Sequence, residues 1–277
     1  MTIAPQDFLP QIADWVAQLD DTFPGSWVKP YFAQWEVLHL LSLALLGGAS
    51  LILNLRLIGV GLTDDPPSEV RRGVLPWLNL GVAGIVITGV LIGTSNPERL
   101  YTSEAFTAKM LGLTAALILT YGVSLPAARQ DGRLGRNASI AAVIGLAFFG
   151  VCIGVFAVAK LVNPGLWHVI TAAALLVLFV TRGLTRIIYL VVLLSLMATQ
   201  LAIHQVIYKP DDYAHLDPAN KIMIVVYLAV ILAAAAVQIV SSGRGPQGAG
   251  PATKALAYAS ILVWVATAAA GRWIAFA

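Results

Sequence analysis

Three of the four histidines stand inside long apolar stretches: His39, His168 and His204. An ionisable side chain in hydrocarbon is costly, so each marks a functional site by default. Neutral imidazole is a good axial ligand for haem iron, and apolar neighbours suit a porphyrin. His39 and His168 hold near-equivalent places in the two halves of the chain. His168 and His204 would alternatively face each other across a tight antiparallel hairpin. Either pair could give two imidazoles to one metal. Glu36 lies three residues before His39 and could orient its second nitrogen, and Gln200 lies one turn before His204. Lys109 and Lys221, at the ends of two helices, could pair with haem propionates. The expected metal ligands are thus His39, His168 and His204, with Lys109 and Lys221 as further cofactor contacts. The same histidines could instead hydrogen-bond between helices or line a polar cavity. His215 falls in a loop and reads as solvated.

Other chemistry has little to stand on. There is no Cys-x-x-Cys-His haem attachment motif, P-loop, zinc-protease motif or nucleophilic triad. With four Met and one Cys the chain has no copper ladder. Cys152 has no internal disulfide partner and reads as a small buried side chain.

The elements that must position the histidines follow from hydropathy. Of the 277 residues, 58% are hydrophobic and 11% charged, against about 25% charged in soluble domains. Mean hydropathy is +0.82. Eight stretches lack Asp, Glu, Lys and Arg: Val37–Leu55, Gly73–Pro97, Met110–Ala128, Asn137–Ala159, Leu161–Thr181, Ile187–Tyr208, Ile222–Gly243 and Ala255–Gly271. Each approaches or meets the roughly 20 residues a membrane helix needs. They are apolar all round, not alternating, so they read as helices and not barrel strands. The expected fold is an all-α integral membrane protein with eight transmembrane helices, of which the fifth and sixth form a tight hairpin through Arg182–Arg186.

Orientation comes from basic residues, which concentrate on the cytoplasmic side. Ten of the 17 Lys and Arg fall at one set of helix ends, with only four of the 14 acids. That side reads as inner. Both termini then lie outside, in the periplasm of a bacterium, with the chain in the inner membrane. Arg56, at the inner end of the first helix beside Asn54, is expected to snorkel to headgroups. No basic cluster exceeds three residues, so the pI near 9.1 is no nucleic-acid footprint.

Residues 1–30 are acidic and lack a continuous apolar core, so no cleavable signal peptide is expected there. Between Pro5 and Pro24 they form an outer amphipathic segment, with Phe8, Ile12, Trp15, Val16 and Leu19 on one face of an interfacial helix. Trp27, Tyr31 and Trp35 follow as an aromatic belt. The loop Asn96-Pro97-Glu98 leading to Lys109-Met110 has a counterpart in Lys209-Pro210-Asp211 leading to Lys221-Ile222-Met223. This suggests two parallel four-helix repeats. The first half is 31–137, with 138–160 completing helix 4, and the second is 161–277. Gly89/Gly93 and Gly150/Gly154 allow close helix contact.

The run Glu36-Val37-Leu38-His39-Leu40, then Gly47-Gly48, Leu55-Arg56-Leu57-Ile58-Gly59, Arg71-Arg72, Leu75-Pro76-Trp77, Thr88-Gly89 and Phe106 to Lys109 carries a resemblance. Over about residues 35–125 it resembles the CopD-type (copper-resistance D) membrane proteins. It is more similar still to bacterial proteins with a helix-1 His and a Leu-Arg-Leu-x-Gly segment. The resemblance implies a four-helix unit with a functional His39 and Lys109, and haem b or copper handling. The chain departs from that pattern by its second half, and by lacking the extra Met and His of a dedicated copper transporter.

The functional expectation is a b-type haem membrane protein. It would carry electrons between a periplasmic donor or partner subunit and the quinone pool, as the membrane subunit of a larger complex. A CopD-like copper or small-solute transporter and a non-catalytic membrane subunit or assembly factor are the alternatives.

Overall fold

The computed structural model describes residues 3–158, 166–207, 217–242 and 249–276. Lys160, Tyr208, the Lys209-Pro210-Asp211 loop, Tyr213 and His215 lie outside the described residues. The described residues are helical, with no strand. The principal helices are α1 (Phe32–Ile58), α2 (Pro67–Ser95), α3 (Glu104–Leu119), α4 (Arg136–Val158), α5 (Leu166–Val180), α6 (Gly183–Ile207), α7 (Asp217–Ser241) and α8 (Pro251–Trp273). α3 runs through a π-turn at Thr120–Ser124 into a last helical piece, Leu125–Arg129.

Among the described residues seven helices are long and apolar enough to cross a membrane. The remaining apolar helix, α5, has 15 residues. At 1.5 Å per residue its described part is about 22 Å long, short of the roughly 30 Å hydrocarbon.

The chain divides into two compact units. One is Met1–Leu166 with Arg244–Ala277, the other Trp167–Gly243. In the first, one apolar core draws on five helices: Leu46 of α1, Leu78 and Ile85 of α2, Ala115 and Leu119 of α3, Ala142 of α4, Val263 and Trp264 of α8. α8, the last helix in sequence, thus packs among the first four.

Glycines set how closely these helices approach. A Cβ at Gly81 would lie 2.7 Å from the Leu46 nitrogen, and one at Gly84 would lie 2.3 Å from Ser42 Oγ. At Gly112 it would lie 2.6 Å from Thr267 Oγ1 and 3.1 Å from Cys152 Sγ, so α3, α4 and α8 converge there. Gly150 has open space instead, with nothing within 4 Å.

The second unit holds α5, α6 and α7. Gly183, with φ +59°, starts α6 after the break at Thr181-Arg182. Tyr189 Oη donates to the Ala174 carbonyl at 3.2 Å, so the chain folds back there. Arg186 Nε donates to the Thr181 carbonyl at 2.6 Å and covers the end of α5. Trp167 and Tyr227 meet edge to face at 5.6 Å, joining α5 to α7.

The N-terminal segment is not one amphipathic helix. Pro5, Pro10 and Pro24 break it into short turns, Pro5–Phe8, Pro10–Ile12, Ala13–Val16 and Gly25–Val28. Ala4, Val16 and Val28 are buried, while Phe8, Trp15 and Phe23 are exposed. The expected apolar face is therefore split, with Val16 inward and Phe8 and Trp15 outward. Gly25 is wedged between the Leu19 and Thr94 carbonyls. Tyr101 Oη donates to the Leu9 carbonyl at 2.7 Å, and Ile3 N donates to Glu104 Oε1 at 3.3 Å. The segment caps the ends of α2 and α3. Lys29 Nζ bonds Asp20 Oδ2 at 2.6 Å, which holds the Asp20 carboxyl below its usual range.

Two outcomes follow from this packing. Gly81→Ala should destabilise the protein in detergent by about 1–3 kcal/mol through overpacking against Leu46. Gly150→Ala, facing open space, should be neutral or slightly stabilising. Equal unfolding temperatures for both variants would contradict the seam. Because its folded pKa is depressed, Asp20 stabilises the cap above the unfolded value of about 3.9, and this is lost as pH falls below it. At low salt, pepsin should cut the N-terminal segment faster at low pH relative to the rest of the chain. That increment should be absent in Asp20→Asn.

Candidate functional site

His39 is the eighth residue of α1 and half-buried against α2. Its Nδ1 lies 2.8 Å from Thr88 Oγ1, and Thr88 Oγ1 donates its only proton to the Gly84 carbonyl at 2.6 Å. Thr88 can then only accept from the ring. His39 must carry its proton on Nδ1, which leaves the Nε2 lone pair free. A Cβ at Gly89 would come 3.3 Å from His39 Cε1, so the small residue makes room for the ring. Glu36, expected to orient the ring, is replaced in that role by Thr88, one α2 turn beyond Gly84.

Lys109 is the other sequence candidate in this unit. Its stem lies over Gly271 of α8, where a Cβ would be 3.4 Å from Cε and 3.7 Å from Nζ. It has no hydrogen-bond or ion-pair partner among the described residues. Its ammonium is close enough to bear electrostatically on His39. The pair combines a free imidazole nitrogen with a cation at one end of the helical unit.

His168 and His204 belong to the second unit. His168 is exposed on the first turn of α5; His204 is half-buried in the last turn of α6. Counted outward from the Thr181-Arg182 break, His204 lies nine residues further than His168. At 1.5 Å per residue their α-carbons differ in level by about 13 Å, so they do not face each other level across the hairpin. Lys221 is exposed on α7. Among the described residues no three His, Cys, Asp or Glu side chains gather as metal ligands.

A haem would fit His39 in one respect. A ligating histidine almost always donates its second ring N–H to a fixed acceptor, as Nδ1 does to Thr88. Space restricts it in another. The α1–α2 seam is closed at Gly81 and Gly84, so a macrocycle cannot enter between those two helices.

A second polar cluster, at the other end of the unit, is one that the sequence reading touched only at Asn54. Asn54 is fully buried, and its Nδ2 donates to the Ser50 carbonyl at 2.8 Å and to Ser260 Oγ at 3.3 Å. Ser124 Oγ donates to Asn54 Oδ1 at 2.8 Å. Ser124 has no second proton, so its 3.3 Å contact with Ser260 takes the proton from Ser260. Asn54, Ser260 and Ser124 therefore form a closed ring of hydrogen bonds joining α1, α8 and the π-turn. Trp264 Nε1 donates to Thr120 Oγ1 at 3.0 Å beside it. π-turns inside helices are rare and frequent at functional sites; here the turn aims both Thr120 and Ser124 inward. The signal for this cluster was Asn54 in an apolar run, without any hint of its partners. Arg56 does not snorkel outward: it is 4% exposed, and its Nε donates to the Asp65 carbonyl at 2.7 Å, bracing the loop between α1 and α2.

Asn54→Leu should lower stability in detergent by about 1–3 kcal/mol, since it leaves two buried hydroxyls with fewer partners. Ser260→Ala should cost less, because Asn54 keeps its bond to the Ser50 carbonyl. An unaltered melting temperature in Asn54→Leu would mean that the ring holds nothing together.

No curated protein and no solved structure matches the chain. A family model matches residues 15–164, which take in most of the cap and α1 to α4. The match covers more than half of the sequence, and the chain belongs to this family, a family of unknown function, DUF6644.

Proposed function

We propose that this is a multi-pass protein of the bacterial inner membrane that binds a b-type haem through His39. It passes electrons between a partner on the outer side and the quinone pool. The observation that supports this is the His39–Thr88–Gly84 chain of hydrogen bonds. It presets the ring in the tautomer an axial ligand needs, with Nε2 unprotonated and the ring orientation fixed. Bound haem would supply one-electron redox chemistry. Lys109 would offer its ammonium to a propionate, since an unpaired cation at this depth is costly and an anionic partner offsets that cost. Apolar side chains around the site would keep water from the iron. The CopD-like copper alternative calls for several soft or imidazole ligands in one place. No such gathering among the described residues favours it.

The test is a reduced-minus-oxidised visible spectrum of the full chain, purified in mild detergent from haem-supplemented cells. A sharp α band is expected. His39→Ala should abolish it or shift it. Thr88→Val should weaken haem retention about 10- to 100-fold while leaving protein yield unchanged. Single replacements of His168 and His204 show whether either contributes. A flat spectrum, or one indifferent to His39, overturns the proposal.

A further inference from the structure

The π-turn does more than point Thr120 and Ser124 inward. Tyr121, in the same turn, stands outward, 39% exposed on the apolar surface of the first unit. Its Oη donates to Asn79 Oδ1 at 2.7 Å. Asn79 is exposed near the middle of the 29-residue α2. Both residues stand well inside helices built to span a membrane. A primary amide facing hydrocarbon is expensive unless its donors are met.

The proton count shows what remains to be met. Tyr121 spends its proton on Asn79 Oδ1, so the phenolic oxygen keeps its acceptor lone pairs. Asn79 keeps both N–H donors of its amide, which have no partner among the described residues. Two donors and one acceptor thus stand side by side on a surface otherwise lined with apolar groups. Pro76 and Ala83, one turn to either side of Asn79 on α2, are exposed and small, leaving the amide accessible. Leu80, Val86 and Ile87 extend the exposed apolar surface along the same helix.

The geometry points to Asn79 and Tyr121 as the binding site for the head group of a lipid-soluble quinone, reached sideways from the bilayer. The oxidised head group carries carbonyl acceptors, which match the two Asn79 N–H donors. The reduced head group carries hydroxyl donors, which match the Tyr121 oxygen. One pair of side chains therefore satisfies both forms, and the flanking apolar surface suits an isoprenoid tail. The site gives the quinone of the proposed function a place. It rests on that reading for its role, but its binding can be measured without any haem.

The test is binding of decylubiquinone to the full chain in detergent, followed by quenching of tryptophan fluorescence. Asn79→Leu and Tyr121→Phe serve as variants, with the visible spectrum recorded on each preparation. Saturable binding is expected in the unaltered protein, weakened at least tenfold by Asn79→Leu and several-fold by the nearly isosteric Tyr121→Phe, which removes the bond that orients the Asn79 amide. The α band should be the same in all three. Binding without an α band would sink the haem reading and keep the quinone site. An α band without saturable binding, or binding equal in all three proteins, overturns the quinone site. A change of oligomeric state in Asn79→Leu, with no quinone binding in the parent, overturns it in favour of a partner helix.

Discussion

In hydrocarbon no water is available to satisfy a polar group, and helices gain nothing by burying apolar surface that lipid would cover equally well. What holds such a bundle together is close van der Waals approach and hydrogen bonds between helices. The α1–α2 seam supplies the first. Gly81 and Gly84 let the backbone of α2 come against Leu46 and Ser42. A side chain at either position would push the helices apart. That approach is also what brings Thr88 within 2.8 Å of His39. The candidate ligand is oriented by the same contact that builds the fold.

Hydrogen bonds do the equivalent work toward the other end of α1. The ring of Asn54, Ser124 and Ser260 gathers three elements that are far apart in sequence. Thr120, Val123 and Ser124 of the π-turn, three and four residues apart, all face inward, while Tyr121 stands to the outside. α8 supplies Ser260 to the ring, Trp264 to Thr120 and Thr267 to the crossing at Gly112. It also carries Gly271 beneath Lys109. The helix that closes the unit thus reaches both polar clusters.

The cap shows the same economy at the end of the unit that holds His39. Prolines stop it from forming a single helix, and the short turns seat Ala4, Val16 and Val28 inward. Arg99 donates to the Ile274 and Ala275 carbonyls, tying the loop after α2 to the chain beyond α8. His39 and Lys109 therefore lie in a part of the molecule whose surrounding loops are braced.

The sequence by itself determined the helices. Long charge-free runs leave no other way to satisfy the backbone in lipid, and seven of the eight stretches appear as helices of spanning length. It also singled out His39, Lys109 and Asn54, because polar residues in apolar runs stand out whatever their neighbours. It could not decide their partners. Thr88, Ser124 and Ser260 are ordinary small polar residues, common in membrane helices, and only packing assigns them to one imidazole and one amide. Nor could it show that α8 joins the first four helices, or that Arg56 turns in to Asp65 and not out to lipid. Hydropathy reports how each residue sits against its solvent; which helix lies beside which is decided by the shape of the faces that meet.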